Sequence, residues 1–147
     1  LGFITGGSVA VDVSGTGDVS LTDWTISGAV GDGITMSGGT VTLTDGSVSS
    51  SGANGILATG GALVIDGTTI DLATEDGIDL SGTMTASVTD AVLDGNGGFG
   101  LTCDGGASDP NTSTVTLDPC TATPSTNTAG DYDLINGCEV AWSCVLP

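Results

Sequence analysis

The chain of 147 residues contains no lysine, no arginine and no histidine. Set against 18 acidic residues, this leaves a formal charge of −18. Nucleic-acid binding rests on Lys and Arg neutralising phosphates, so that class of partner is excluded. An anionic membrane surface repels the chain for the same reason. No side chain can supply the cationic half of an ion pair, so stability must come from burial and backbone hydrogen bonds. Aromatic residues are scarce, with two Trp, two Phe and one Tyr. Polar helix formers are nearly missing, with two Glu and no Lys, Arg or Gln. No apolar run approaches the ~18 residues that cross a bilayer as a helix. The first residues show neither a charged n-region nor an apolar h-region, so a signal peptide, if one existed, is expected to have been removed or left out.

What is present is β-forming. Hydrophobic residues make up 38% of the chain, more than an acidic disordered chain carries. The apolar side chains are mostly aliphatic, and Gly, Ser, Thr and Asp supply most of the rest. The length fits one domain. Residues 33–48 read GITMSGGTVTLTDGSV, with single apolar residues set among small polar ones. Alternation of period two means strands with one face buried.

The pattern repeats. Gly33, Gly55 and Gly77 lie 22 residues apart, each between an Asp or Asn and an Ile. A fourth copy reads Gly97-Gly98-Phe99, and VDVSG at 11–15 is a degenerate earlier one. Three alternating segments recur in each period. The first carries Val11/Val13, Ile34/Met36, Ile56/Ala58, Ile78/Leu80 and Phe99/Leu101. The second carries Val19/Leu21, Val41/Leu43, Leu63/Ile65 and Ala86/Val88. The third carries Ile26, Val48, Ile70/Leu72 and Ala91/Leu93. Segments this short cannot fold alone. Stacked, each pairs with its equivalent one coil above, and the inward aliphatics form continuous columns. Ile34, Ile56, Ile78 and Phe99 are expected in one such column. Gly, Asp, Asn and Ser between segments mark corners where φ > 0 is needed.

The frame G-I-x-L-S-G-x-x-V-x-L-x-D-G-x-V resembles the repeat of right-handed parallel β-helix proteins, the pectin-lyase-like superfamily. The resemblance covers roughly residues 9–118. It implies an all-β, right-handed parallel β-helix of about five ~22-residue coils, with residues 1–102 as coils. It also implies an Asn ladder at an internal corner. Here the corner chosen for it reads Asp23-Trp24, Asp45-Gly46, Asp66-Gly67 and Asp90-Ala91. Stacked carboxylates at ~4.8 Å repel unless hydrated, protonated or bridged.

Residues 103–147 depart from the repeat. Pro110, Pro119 and Pro124 interrupt strand pairing, Val115 and Leu117 allow one last strand, and TATPSTNTAG at 121–130 reads as loop. All four cysteines, Cys103, Cys120, Cys138 and Cys144, fall here. An even count in one segment suggests two disulfides and an oxidising compartment. Zinc is the rival, but no C-x₂-C spacing and no His supports it. The segment is read as the last coil plus a disulfide-stapled C-terminal cap. Of the three possible pairings, Cys103–Cys120 with Cys138–Cys144 is favoured.

Carboxylates are the only catalytic chemistry available. Glu75, Asp76 and Asp79 flank one corner, and a carboxylate pair can hydrolyse a glycosidic bond. Relatives acting on polyuronates also use Lys, Arg or His, which are absent, so the chain is expected not to be an enzyme. Asp and carbonyl groups at Gly-rich corners are ligands of the kind calcium takes, which makes Asp32 and Asp76 at one edge, and Asp45 and Asp66 at another, candidate calcium ligands. Asn111-Thr112-Ser113 is an N-glycosylation acceptor pattern. TVTLT at 40–44 and TSTVT at 112–116 resemble the arrays of ice-binding solenoids, but DVSLT at 18–22 and ALVID at 62–66 break the series. The reading that results is a secreted structural protein. Its copies stack head to tail into an extracellular filament or surface layer. The alternatives are a β-helix adhesin or a carbohydrate-binding module with glycan partners and, behind these, a glycan-active enzyme.

Overall fold

The computed structural model describes residues 2–104, 114–117, 126–135 and 138–142. Among them there is no helix, and every strand pairing is parallel. The strands form three ladders that wind as a β-solenoid of about five turns. The first ladder stacks β2 (Val11–Val13), the start of β5 (Ile34–Thr44), the start of β7 (Ile56–Asp66), β9 (Ile78–Ser81), β12 (Phe99–Asp104) and β14 (Gly130–Ile135). The second stacks β3 (Asp18–Thr22), the ends of β5 and β7, β10 (Met84–Thr89), β13 (Thr114–Leu117) and β15 (Glu139–Trp142). The third stacks β1 (Gly2–Thr5), β4 (Trp24–Ser27), β6 (Ser47–Ser49), β8 (Thr69–Asp71) and β11 (Val92–Asp94).

The expected columns fill the bore. Ile34, Ile56 and Ile78 are register partners and fully buried. Val41, Leu43, Leu63, Ile65, Ala86 and Val88 line the second ladder, and Ile26, Val48 and Ile70 the third. Val115 and Leu117 do give a further strand, β13. β14 and β15 then extend the first two ladders by one more layer.

Three expectations are corrected. Leu101, not Phe99, stacks on Ile78. The register offset grows from 22 to 23 residues between Ala58↔Leu80 and Gly61↔Met84. The turn there holds Gly82, at φ 76°. Gly98-Phe99 imitates the Gly-Ile signal but arrives two residues early. Leu72 is not an inward residue. It sits in a left-handed corner at φ 55° and is 59% exposed. Cys103 is bonded to Cys138, with Cα atoms 6.0 Å apart, rather than to Cys120. Stacking of β14 on β12 carries the chain back over Cys103. Coil register therefore outranks nearness in sequence. Cys120 and Cys144 lie outside the described residues, as does Asn111.

Candidate functional site

The outward positions of the first ladder make the most acidic face. One register row reads Asp12, Thr35, Leu57, Asp79, Thr102 and Asp133. Strand alternation points this row away from the bore, because its neighbours Ile34, Met36, Ile78 and Leu80 fill it. The Thr35 hydroxyl donates to Asp12 Oδ1 at 3.0 Å. Asp79 has no acidic partner directly above or below it, as its pairing with Leu57 and Thr102 shows. Its carboxyl is nonetheless held above the usual value of 3.8. Burial comes first, followed by the charges of Asp76, Asp32, Asp104 and Glu75.

A raised acid favours the protonated form in the folded protein. Its contribution is therefore complete below the unfolded value and is lost as pH rises through the folded one. Asp79→Asn is expected to stabilise the protein at pH 7, by up to about 1 kcal/mol after solvent screening. The gain should shrink on acidification towards pH 4. Urea midpoints of both proteins across that range check it; an equal or lower midpoint for the variant at pH 7 contradicts it.

The four candidate calcium ligands do not converge. Asp32 and Asp76 share one corner but are two coils apart, with Asn54 between them. Asp32 Oδ1 accepts the Asn54 amide at 3.0 Å and its side-chain Nδ2 at 3.1 Å. Asn54 Oδ1 in turn accepts the Asp76 amide at 3.1 Å. Asp76 Oδ1 accepts the Phe99 amide at 2.7 Å. Each side chain thus caps the backbone of the next coil, and Asp–Asn alternation keeps the carboxylates two layers apart. Asp45 and Asp66 fall in different rows. Asp45 lies with Asp23, Gly67 and Asp90 in a row of left-handed residues, at φ 50°, 53°, 64° and 48°. Asp66 precedes it as a strand residue paired with Thr44 and Thr89. Gly67 separates Asp45 from Asp90, while Asp23 and Asp45 lie on adjacent coils. No three His, Cys, Asp or Glu gather as a metal-binding group among the described residues.

The internal Asn ladder exists at a different corner from the one chosen. Asn96 is fully buried, and its Oδ1 accepts the Ala73 amide at 3.0 Å. Asn127 Oδ1 takes both the amide and Nδ2 of Asn96 at 2.9 Å. Asn127 Nδ2 donates to the Leu93 carbonyl at 2.9 Å. The 31-residue step between the two asparagines hides the ladder from a search at 22. Of the aromatics with a polar edge, Trp24 is buried over Gly46 and offers no surface to a sugar. The hydroxyl array on the second ladder runs through Thr40, Thr42, Thr44 and again through Thr85, Ser87, Thr89. Ala62, Val64 and Asp66 interrupt it in register.

These features, parallel ladders, an aliphatic bore and Asx caps at the corners, are those of a solenoid whose polar groups chiefly serve its own coils. The sequence matches the model of a protein family described as a right-handed β-helix region, over residues 3–144. No curated protein and no solved structure matches the chain. The match spans nearly the whole sequence and the fold agrees with it, and so the chain belongs to the right-handed β-helix family.

Proposed function

We propose that this protein is a secreted structural β-helix that associates head to tail, layer on layer, into an extracellular filament or surface layer. One observation carries the reading, the state of the layer at the β1 end. Ile4 is the register partner of Ile26, which is fully buried, yet Ile4 is 38% exposed. Next to it Phe3 is 68% exposed, although as the partner of Thr25 it points away from the bore. Val11, Val19 and Leu21 are half-buried where Ile34, Val41 and Leu43 above them are sealed. β1, β2 and β3 each pair on one side only among the described residues. A partner for this layer must offer parallel strand edges and an aliphatic interior of the same outline. A coil of a second copy offers both, and a contact of that kind repeats without closing.

Two further features support the reading. The Cys103–Cys138 bond fits an oxidising compartment. A chain without Lys or Arg gives trypsin-like proteases no site, which suits a durable material. The test is a double substitution, Phe3→Asp with Ile4→Asp, measured by light scattering across protein concentration. The wild type is expected to gain mass with concentration, and the variant to stay at one chain with its β-sheet circular dichroism intact. A variant that associates as the wild type does defeats the proposal.

A further inference from the structure

Asp71 and Asp94 are register partners on β8 and β11 of the third ladder. Both alternate outward from the bore residues Ile70 and Leu93. Neighbouring strands lie about 4.8 Å apart, so carboxylates in register meet directly. The two are served unequally. Asp94 Oδ1 accepts the Thr126 amide at 2.7 Å and the Thr126 hydroxyl at 2.9 Å. These bonds hold its carboxyl below the usual value. Asp71 Oδ1 is closed off from solvent and accepts no hydrogen bond among the described residues. Its register partner on the other side is Ser49 of β6, and the other outward residue of β8 is Thr69, both uncharged. Asp94 is therefore the charge that faces Asp71. Burial first, and then the Asp94 charge, push the Asp71 carboxyl up.

We infer that Asp71 and Asp94 form an acid-closed latch, in which Asp71 takes a proton from solvent and donates its new O–H to the ionised Asp94. The bond that forms is O–H on Asp71, and no other covalent bond changes. Thr126 leads into Asn127 and β14, so the latch ties the third ladder to the last described layer. When Asp71 loses its proton, two carboxylates face each other across the ladder. Asp94 then holds Thr126 less firmly. Asp71 is raised in the folded protein, so its contribution is whole below the unfolded value and is lost as pH rises through the folded one. Asp94 is depressed, so its contribution is present above the unfolded value and is lost as pH falls through its own folded one. The latch is closed between those two folded values.

The test combines carboxyl carbon NMR titration of the full chain with amide hydrogen exchange at Thr126. Asp71 is expected to titrate above 3.8 and Asp94 below it. Thr126 protection, corrected for intrinsic exchange, should fall as pH rises through the Asp71 midpoint, by up to about tenfold for each unit by which Asp71 is raised. In Asp71→Asn the amide donates to Asp94 at every pH, and the fall should vanish. In Asp94→Asn the Asp71 midpoint should drop, because a charge is lost and a donor gained. An Asp71 midpoint at or below 3.8, or Thr126 protection independent of pH in the wild type, overturns the latch. If Asp71→Asn does not fold, the Asp94→Asn titration decides: an unmoved Asp71 midpoint overturns it, a lowered one supports it.

Discussion

Gly55→Ala lowers stability by more than the ~1–3 kcal/mol of ordinary overpacking. Gly33, Gly55, Gly77 and Gly100 stack in one row, and none lies in the left-handed region. Their shared need is space. A Cβ on Gly55 would lie 2.5 Å from the Gly77 carbonyl oxygen and 2.5 Å from Ile70 Cγ2. The same atom on Gly33 would meet the Gly55 carbonyl oxygen at 2.6 Å, and on Gly77 the Gly100 carbonyl oxygen at 2.6 Å. The obstacle is backbone of the next coil, itself bonded to a further one, so relief in one layer displaces its neighbours. Gly17 supplies the control. It also lies outside the left-handed region, and a Cβ there meets nothing within 4 Å. Gly17→Ala should leave the urea midpoint nearly unchanged while Gly55→Ala shifts it strongly. Equal shifts for the two contradict the packed row.

Cys138→Ser should cost about 4 kcal/mol in the chain-entropy model for a sequence separation of 35 residues. Cys103 is fully buried and Cys138 half-buried. The serine is therefore placed at Cys138, and Cys103 is left as a small buried hydrophobe. The bond joins β12 to the residue that leads into β15, so its loss should loosen β14 and β15 first. Hydrogen exchange should accelerate there while Ile56 and Ile78 stay protected. Uniform acceleration through every coil, or none, contradicts this placing of the staple.

The architecture was legible because the bore imposes a period that the chain cannot hide. Ile34, Ile56 and Ile78 recur at 22, and their sealed environment follows from alternation alone. Phe99 misled because a hydrophobic residue after glycine satisfies the pattern without satisfying the register. One extra residue near Gly82 moved the column to Leu101. The glycine row was visible, but its cause was not: spacing alone cannot separate a left-handed corner from a close approach of backbones. Leu72 shows the reverse error, since alternation counted it inward while the corner turned it out. The candidate site was less readable still. Whether Asp32, Asp45, Asp66 and Asp76 converge depends on which residue of each corner faces which layer. A shift of one residue put Asp66 in a strand and Gly67 in its place. The Asx caps use the same residue types as a cation site, and in them one oxygen of Asp32 and one of Asp76 accept backbone amides. The disulfide followed from stacking, which nearness in sequence does not reveal.

In the proposed association, the β1 layer, which pairs on one side only among the described residues, docks a second copy against mutual repulsion. Each copy brings a charge of −18 with no basic residue to offset it, whereas the buried apolar contact does not depend on salt. At 0.01 M ionic strength the screening length is about 30 Å, and at 1 M about 3 Å. Sedimentation velocity of the purified protein at both ionic strengths is the direct measurement. The account predicts a slow single-chain boundary in low salt that gives way to faster, concentration-dependent species in high salt. A single slow boundary in both, at the highest concentration reached, would contradict it.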